Sequence, residues 1–339
     1  MKTSRRTNGG VKMEAVEKMP VGKNKKPWNK FVRGFNKSNM IEKSSNFVCH
    51  VILIGIVFLI LFPFIEKLCT MFLSYEDLAD TTVKYVPKTW SLNTLVSTMG
   101  IMDYWNSLWS TFILSSVCAV LQTLSCTLVA YGFARYKFPG RGLLFAGVLM
   151  ILLIPPQVIM TSLYMKFTFF DFFGILSLFG GKSIDITDGI WPFLLLSITS
   201  IGFKNSLYIY MLRQFFRGLP TEIEEAGMID GSGHFGVFFR LMLPNAVPMM
   251  ITIILFAFSW QWTDNYYASL FLQRSSFQPL SLQLNLLQTY GENNPYYTGN
   301  FRQAMVGTGI LLVVAPLFII YLFGQKFFVQ GISQSGIVG

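Results

Sequence analysis

A charged segment at residues 220–244, between two long apolar stretches, combines helix start and stop signals with side chains that could bind a partner. Thr221 and Glu224 have the spacing of a capping box, in which each side chain binds a backbone N–H of the first helical turn. Gly231 predicts the end of that helix, because glycine adopts the left-handed conformation that closes a helix without the steric cost of a Cβ. We therefore expect a short helix, followed by a second one that runs to Leu243.

Groups that could catalyse a reaction or bind a metal are sparse. The two histidines, His50 and His234, lie far apart without clustered carboxylates, so neither a metal site nor a histidine-dependent triad is predicted. Residues 231–236 match the glycine spacing of a dinucleotide fingerprint, but no strand precedes them. We therefore expect no catalytic residue, no cofactor and no nucleotide site. The cysteines lack Cys-x-x-Cys spacing and are interpreted as small apolar residues: Cys49, Cys69, Cys118 and Cys126.

Composition indicates an integral membrane protein. Hydrophobic residues make up 52% of the 339 residues, charged residues only 13%, and the mean hydropathy is +0.48. A hydrocarbon core about 30 Å thick requires roughly 20 apolar helical residues. Continuous apolar runs exclude a β-barrel and predict an all-α protein with six transmembrane helices, of which Lys204 and Asn205 interrupt the fourth. The predicted spans are residues 47–68, 108–134, 143–164, 190–212, 246–265 and 304–323.

The distribution of charge predicts the orientation in the plasma membrane. Residues 1–46 hold 12 Lys and Arg residues against three Glu residues, and the positive-inside rule keeps such a segment in the cytoplasm. Six spans then bring the C-terminus to the same side. We expect a disordered basic tail at 1–46, which contacts anionic lipid and not nucleic acid. The transmembrane domain covers 47–325, with the charged loop at about 214–244, and a C-terminal tail covers 326–339.

Several runs of residues resemble a known family. The charged loop carries Glu225 and Ala226, then Gly231, then Leu243 and Pro244, an order that resembles the signature loop of binding-protein-dependent ABC importer permeases. The resemblance covers about residues 85–335. Over this range the chain is similar to the carbohydrate-uptake branch of the family, which includes the second permease of maltose importers. Gly227 and Leu241 depart from the Ala and Ile usual in the family. Further matching runs are Tyr131-Gly132-Phe133-Ala134-Arg135, Phe138-Pro139-Gly140-Arg141 and Leu212-Arg213-Gln214-Phe215-Phe216.

The resemblance implies a transport mechanism with several partners. A second permease pairs with the chain, forming a heterodimer, two copies of an ABC ATPase sit beneath the pair, and an extracellular solute-binding protein delivers a sugar or oligosaccharide. The charged loop would be the lever that the ATPase moves; a solvated hairpin with an ordinary charge run is the alternative for its glutamates. A self-sufficient secondary transporter or channel is the alternative for the chain. The implied coupling residues are Glu224, Glu225, Ala226, Gly227, Asp230, Gly231, Arg240, Leu243 and Pro244.

Most candidate substrate residues gather towards the outer half of the fifth span, while Gln157 lies on the third span and Lys204 and Asn205 in the fourth. A sugar pathway needs aromatic platforms with convergent hydrogen-bonding groups, and an interfacial aromatic belt is the alternative for the same tryptophans and tyrosines. Lys204 is expected to face a pore or a partner, because an ammonium near mid-bilayer costs roughly 2.5 to 3.5 kcal/mol; a helix break that lets it reach water is the alternative. The candidates are Gln157, Lys204, Asn205, Trp260, Trp262, Asp264, Asn265 and Tyr266.

Overall fold

A computed structural model describes residues 37–171, 174, 178, 182–202, 204–293 and 299–336. These residues form helices and no strand, with two isolated backbone bridges, which confirms the all-α class. The helices are α1 Lys37–Met71, α2 Tyr75–Ala79, α3 Asn93–Ile101, α4 Tyr104–Arg135, α5 Arg141–Leu153, α6 Pro156–Thr168, α7 Trp191–Ile198, α8 Asn205–Gly218, α9 Glu222–Ile229, α10 His234–Trp262, α11 Tyr266–Phe271, α12 Leu280–Asn293 and α13 Gly299–Gly336.

The chain divides into two compact units, Met1–Phe62 and Pro63–Gly339. Of the first unit, the structure describes residues 37–62, which belong to α1; the rest of the predicted basic tail lies outside the described residues. Helix α1 begins at Lys37, within the segment predicted as a tail, and α13 continues to Gly336, within the predicted C-terminal tail. Helical hydrogen bonding therefore continues beyond the apolar stretches at both places, since the backbone can stay helical outside lipid.

Four described helices are long and apolar enough to cross a membrane: Ser45–Met71, Tyr104–Arg135, His234–Trp262 and Gly299–Gln325. Helices α5 and α6 add a fifth candidate if they are one span bent by 105°. The bend falls at Pro155 and Pro156, where proline removes backbone donors and disfavours helix in the residue before it. The predicted fourth span is divided into α7 and α8, so the described residues support four or five spans by length and composition.

Helix α4 is the centre of the second unit. It packs along α10 and α8, and it also contacts α7 and α12; α10 in turn packs on α13. Large side chains fill these interfaces: Tyr208, Phe216 and Trp262 have at most 1% of their surface exposed. Burial of aromatic rings supplies much of the apolar contact area in such interfaces. Helix α4 therefore packs on α7, α8, α10 and α12 and ends at Arg135.

The second helix of the charged segment and the fifth span are one continuous helix. The sequence predicts them separately, but α10 runs from His234 to Trp262 through a π-helical turn, Phe238–Met242. Pro244 explains the wide turn, because it lacks an N–H for the carbonyl four residues earlier and its ring clashes with that carbonyl. The side chain of Asn245 donates to the Leu241 carbonyl at 2.7 Å. The end of the charged segment is thus part of the same helix as the candidate span His234–Trp262.

Candidate functional site

Helix α9 ends as the sequence predicts. Gly231 has φ of 83° in the left-handed region. Its N–H donates to the Met228 carbonyl at 3.1 Å, and the Ser232 N–H donates to the Gly227 carbonyl at 3.0 Å. These two hydrogen bonds are those of a Schellman motif, which satisfies carbonyls that would otherwise lack donors. The turn between α9 and α10 is consequently held in one conformation by its own backbone hydrogen bonds.

The predicted capping box at the start of α9 is wrong. Thr221 has helical dihedral angles, φ −72° and ψ −24°, and its side chain makes no capping hydrogen bond. A capping residue needs an extended conformation to direct its oxygen towards the next turn. Instead, the Thr221 carbonyl accepts the N–H groups of Glu224 and Glu225, at 3.0 and 3.1 Å. The Glu224 carboxylate points elsewhere, to Arg135 of α4.

Arg135 attaches the charged segment to α4. Its Nε lies 3.1 Å from Glu224 Oε1, and the two side chains are only 9% and 12% exposed. An Nη of the same guanidinium donates to the Leu219 carbonyl at 2.7 Å, just before α9. The sequence places Arg135 at a predicted cytoplasmic turn but does not predict this contact. The available signal was a basic residue at the end of the second predicted span and an acidic segment after the fourth.

The two departures from the family pattern lie opposite each other. Gly227 is buried, and a Cβ added there would lie 2.5 Å from Leu241 Cδ1 and 3.3 Å from Val237 Cγ2. The missing methyl group of Gly227 therefore leaves room for the Leu241 side chain. Close packing of this kind makes volume changes costly unless both partners change together. The departures form a matched pair that joins α9 to α10.

Replacing Gly227 by alanine is expected to destabilise the packing of α9 on α10 by about 1 kcal/mol, at the low end of overpacking costs because a leucine terminus can shift. Thermal unfolding of the purified chain measures this. Leu241→Val removes the clashing Cδ1 and should recover most of the loss in the double variant. Gly236→Ala is the control, since its Cβ would meet Ser232 Cβ at an ordinary 3.5 Å. Equal losses in the single and double variants would contradict the pairing.

The opposite face of the charged segment is exposed and partly apolar. Ile229 is 85% exposed at the end of α9, and Phe235 is 81% exposed at the start of α10. Glu225 and Ala226 are exposed beside them, and so are Asp230 and Arg240 further along the segment. We call Glu225, Ala226, Ile229 and Phe235 the knob face. Isolated exposed apolar residues are common, but here two lie on adjacent helices of a segment that Arg135 attaches to α4.

A second candidate site is a small polar cavity of about 30 Å³ that lies inside the bundle, bounded by α4, α7, α8, α10 and α11. This volume holds one or two waters and is far below the 300 Å³ or more of typical ligand pockets. The polar or aromatic lining residues include Gln122, Ser197, Lys204, Tyr208, Trp260, Gln261, Asp264 and Tyr267.

Lys204 reaches this cavity from a break in the predicted fourth span. Between α7 and α8, Ser200 has a positive φ of 59°, and the N–H groups of Ile201 and Gly202 both donate to the Leu196 carbonyl. This turn puts Lys204 just before α8, with Nζ 4.3 Å from the centre of the Trp260 ring. A cation over an indole face is favourable by roughly 0.5 to 2 kcal/mol. Lys204 thus lies at a break in the predicted fourth span, and it borders the cavity; that it faces a pore or a partner stays a prediction.

Asp264 follows α10 and borders the same cavity. Its Oδ1 accepts the N–H groups of Tyr266 and Tyr267, at 3.1 and 3.3 Å, and so stabilises the start of α11. Its Oδ2 is buried and has no hydrogen-bond partner among the described residues. A buried carboxylate oxygen without a partner is costly, which favours a water or a ligand hydroxyl at this position.

The other candidate substrate residues are dispersed. Trp262 is buried and donates from Nε1 to the Val313 carbonyl at 2.9 Å, so it faces α13. Asn205 is buried without a side-chain hydrogen-bond partner among the described residues. Asn265 is exposed, and its Oδ1 accepts Asn285 Nδ2 at 3.1 Å. Gln157 and Tyr266 are also exposed. The structure therefore brings together Lys204, Trp260 and Asp264.

Gln122 joins these three residues although sequence reasoning missed it. It lies on α4, and its Nε2 donates to Ser197 Oγ at 3.3 Å. Ser125, also on α4, donates to the Ser197 carbonyl at 2.7 Å. A glutamine in the middle of an apolar span was the available signal, because a buried amide requires partners.

Comparison with known proteins decides the family. Residues 126–334, more than half of the chain, match the family described as binding-protein-dependent transport system inner membrane component. The chain belongs to this family. It is a permease of the ABC importer type, which confirms the resemblance and supports that function over a secondary transporter or channel. The matched residues include the charged segment and α10.

Alignments with similar proteins cover most of the chain. The arabinooligosaccharides transport system permease protein AraQ of Halalkalibacterium halodurans is 26% identical and covers 88% of this chain and 100% of its own length. The maltodextrin transport system permease protein MdxG of Bacillus subtilis is 28% identical over 74% of this chain and 82% of its own. The inner membrane ABC transporter permease protein YcjP of Escherichia coli is 27% identical over 82% and 91%.

Solved structures share the fold. A chain from a bacterial ABC transporter involved in the import of the acidic polysaccharide alginate aligns with a TM-score of 0.66, covering 87% of this chain and 99% of that one at 17% identity. A chain from a bacterial alginate ABC transporter in complex with an alginate pentasaccharide-bound periplasmic protein aligns with a TM-score of 0.59 at 15% identity, over 84% and 94%. The fold of this chain is thus shared with chains of bacterial ABC transporters.

Proposed function

We propose that this permease forms part of the translocation pathway for a sugar or oligosaccharide and is driven by a separate ABC ATPase that grips the charged segment. The observation that carries the proposal is the knob face: an exposed, partly apolar helix surface, anchored from behind by Arg135 and continuous through α10 with the membrane domain. A spanning protein needs no such surface for insertion. Glu225, Gly231 and Arg240 are its proposed coupling residues, together with Glu224, Ala226, Gly227, Asp230, Leu243 and Pro244.

The proposed topology has six spans and two cytoplasmic ends. The bent pair α5 and α6 forms the third span, and α7 with α8 forms the fourth, broken at Lys204. Two features favour this count: the basic tail at 1–46 and the basic residues near the end of α8, Arg213 and Arg217, on the side of the knob face. The domain limits 47–325 and 326–339 are part of the same proposal, as is contact of the tail with anionic lipid.

The proposed partners follow from the composition of related transporters. A second, different permease completes the pathway, two ATPase copies bind below, and an extracellular solute-binding protein delivers the substrate. One structurally similar transporter was solved in complex with a periplasmic protein that carries an alginate pentasaccharide. The chain itself is proposed to be non-catalytic, so ATP hydrolysis belongs to the partner.

A saccharide is the substrate class that we propose. Relatives are named for arabinooligosaccharides and maltodextrin. Within the cavity, an indole ring, two glutamine amides and a carboxylate provide an aromatic platform and hydrogen-bonding groups, which suit a sugar ring and its hydroxyls. Because 30 Å³ is too small for a sugar, α7 and α8 must separate from α10 to admit one. Gln157, Asn205, Trp262, Asn265 and Tyr266 remain proposed pathway residues with weaker support.

Trp260→Ala is expected to raise the KM for uptake about 10-fold. The reason is that loss of the contact between the indole ring and the substrate costs on the order of 1.4 kcal/mol. ATPase binding should be unchanged, since Trp260 lies near the opposite end of α10 from the knob face. Transport kinetics in proteoliposomes measure the effect. Trp105→Ala, at an exposed tryptophan of α4, is the matched control and should have the parental KM. An unchanged KM in Trp260→Ala would remove this residue from the pathway.

The test of the function is uptake by the assembled complex. Proteoliposomes that contain this chain, its partner permease and the ATPase should accumulate a labelled oligosaccharide only when ATP is inside and the binding protein is outside. Ionophores that collapse proton and sodium gradients should leave the rate unchanged. Uptake that follows the ion gradient at constant ATP would overturn the proposal.

A further inference from the structure

We propose that Arg135 and Glu224 form a clamp that transmits movement of α9 into α4, and that the adjacent Glu225 faces the ATPase instead. This inference rests on the proposed coupling function of the charged segment. It gives separate roles to two neighbouring glutamates that the sequence analysis lists together as implied coupling residues. Glu224 is then a positioning residue inside the permease, while Glu225 belongs to the knob face.

The guanidinium of Arg135 holds the start of α9 at two points. It donates to the Leu219 carbonyl at 2.7 Å, and its Nε faces Glu224 Oε1 at 3.1 Å. Leu219 and Glu224 lie on either side of the proline that precedes α9. The planar guanidinium can bind both points at once, which a lysine ammonium cannot do with the same geometry. The segment that leads into α9 is therefore fixed to the last residue of α4.

Burial makes the charge of Glu224 important. The facing atoms, Arg135 Nε and Glu224 Oε1, are each inaccessible to solvent and have no hydrogen-bond partner among the described residues, so the ion pair is their electrostatic compensation. Removing one partner of a buried pair leaves an uncompensated charge, whereas an exposed pair contributes little. Glu225, one residue along α9, is exposed. The two positions should thus respond differently to the same substitution.

Aromatic packing reinforces the clamp one turn earlier along α4. The Tyr131 ring lies 5.4 Å from that of Phe216 at the end of α8 and 4.8 Å from that of Phe238 at the start of α10. The end of α4 is therefore held between the helix that enters the charged segment and the helix that leaves it. Displacement of the segment must carry this end of α4 with it, because packed interiors resist compression.

Helix α4 also reaches the polar cavity. Gln122 lies 13 positions before Arg135 on the same uninterrupted helix, or roughly 20 Å at 1.5 Å per residue. It bonds to Ser197 on α7, the helix that must move if the cavity opens. Movement at the clamp thus arrives at the cavity through a rigid helix as well as through α10.

Four variants in the reconstituted complex test the clamp: Glu224→Gln, Glu225→Gln, Arg135→Glu, and the charge swap Arg135→Glu with Glu224→Arg. Two quantities are measured, the ATPase retained by the purified permease and the substrate transported per ATP hydrolysed. For Glu224→Gln we expect parental ATPase retention and at least a ~10-fold loss of transport per ATP, as removal of one partner of a buried pair should produce. Glu225→Gln should instead weaken retention. The charge swap should recover at least half of the transport lost in Arg135→Glu.

Two results would overturn the clamp. One is loss of ATPase retention in Glu224→Gln with parental retention in Glu225→Gln; the other is a charge swap as inactive as Arg135→Glu alone. If the parental complex retains no ATPase, the proposed function fails instead. The contact between Arg135 and Glu224 is then tested by thermal unfolding of the detergent-purified chain. A charge swap that reverses the decrease in melting temperature seen in each single variant supports the contact. Additive decreases in the double variant reject it.

Discussion

Gly231→Val is expected to reduce substrate transport per ATP at least ~10-fold while the chain still inserts in the membrane. Gly231 has φ of 83°, and a left-handed residue with a Cβ costs roughly 1 to 2 kcal/mol, more if it is β-branched. No neighbouring atom lies near the position of the new Cβ, so the effect comes from the backbone alone. Loss of the Schellman turn would release α9 from α10, and ATPase movement would no longer reach the membrane helices.

Two variants in the same turn control for this effect. Asn tolerates the left-handed region, so Gly231→Asn should keep most transport. Gly233 has an ordinary φ of −69° and open space around it, and Gly233→Val should transport normally. Parental transport per ATP in Gly231→Val would show that the turn does not couple the two processes.

Ile229→Asp is expected to weaken ATPase association by roughly 10- to 100-fold. The side chain is 85% exposed in the isolated chain, and its burial at an interface would contribute about 1.5 to 3 kcal/mol, which an unpaired carboxylate would forfeit. Copurification of the ATPase at a series of concentrations, in detergent or lipid nanodiscs, measures the change.

The matched control is Ile184→Asp, which places the same charge at an exposed isoleucine in a loop that we expect on the outer side. It should leave ATPase association unchanged. Equal association of the parental chain and Ile229→Asp would exclude Ile229 from the interface. A loss in both variants would indicate a general effect of added charge and contradict the specific contact.

The sequence predicts local features of the charged segment better than its contacts. Gly231 was identified correctly because a helix stop depends on the conformational range of one residue. The capping box failed because Glu224 has a competing partner, Arg135, that only the packing of α4 brings near. Gly227 and Leu241 each depart from the family pattern, yet their compensation becomes apparent only when α9 lies against α10.

The sequence singled out Lys204, Trp260 and Asp264, which border the cavity, but it did not predict the cavity itself. Lys204 signalled a break in the fourth span, since an ammonium within an apolar helix requires a polar environment. Trp260 and Trp262 could not be separated by type, but positions two apart on a helix differ by about 200° in direction, so one faces the cavity and the other faces α13. Gln122 could not be identified from the sequence because its contact with Ser197 depends on the register between α4 and α7. The periodicity of apolar residues does not determine that register.

The two sites together suggest how force is carried through the permease. The knob face is exposed, while the residues behind it are attached to α4 by Arg135 and to α10 by a continuous helix. Both helices border the cavity that holds Lys204 and Asp264. In the proposed mechanism, closure of an ATPase pair would act on the cavity through these two packed helices.

Photo-crosslinking from the knob face tests directly whether an ATPase binds there. A photoreactive amino acid at Phe235, which is 81% exposed, is introduced into the complete transporter in native membranes and irradiated. We expect a covalent adduct between this chain and an ABC ATPase, and none from the same probe at exposed Ile184, which the proposed topology places on the outer side. A transport-active complex that yields no ATPase adduct from Phe235 or Ile229 would contradict the proposed coupling.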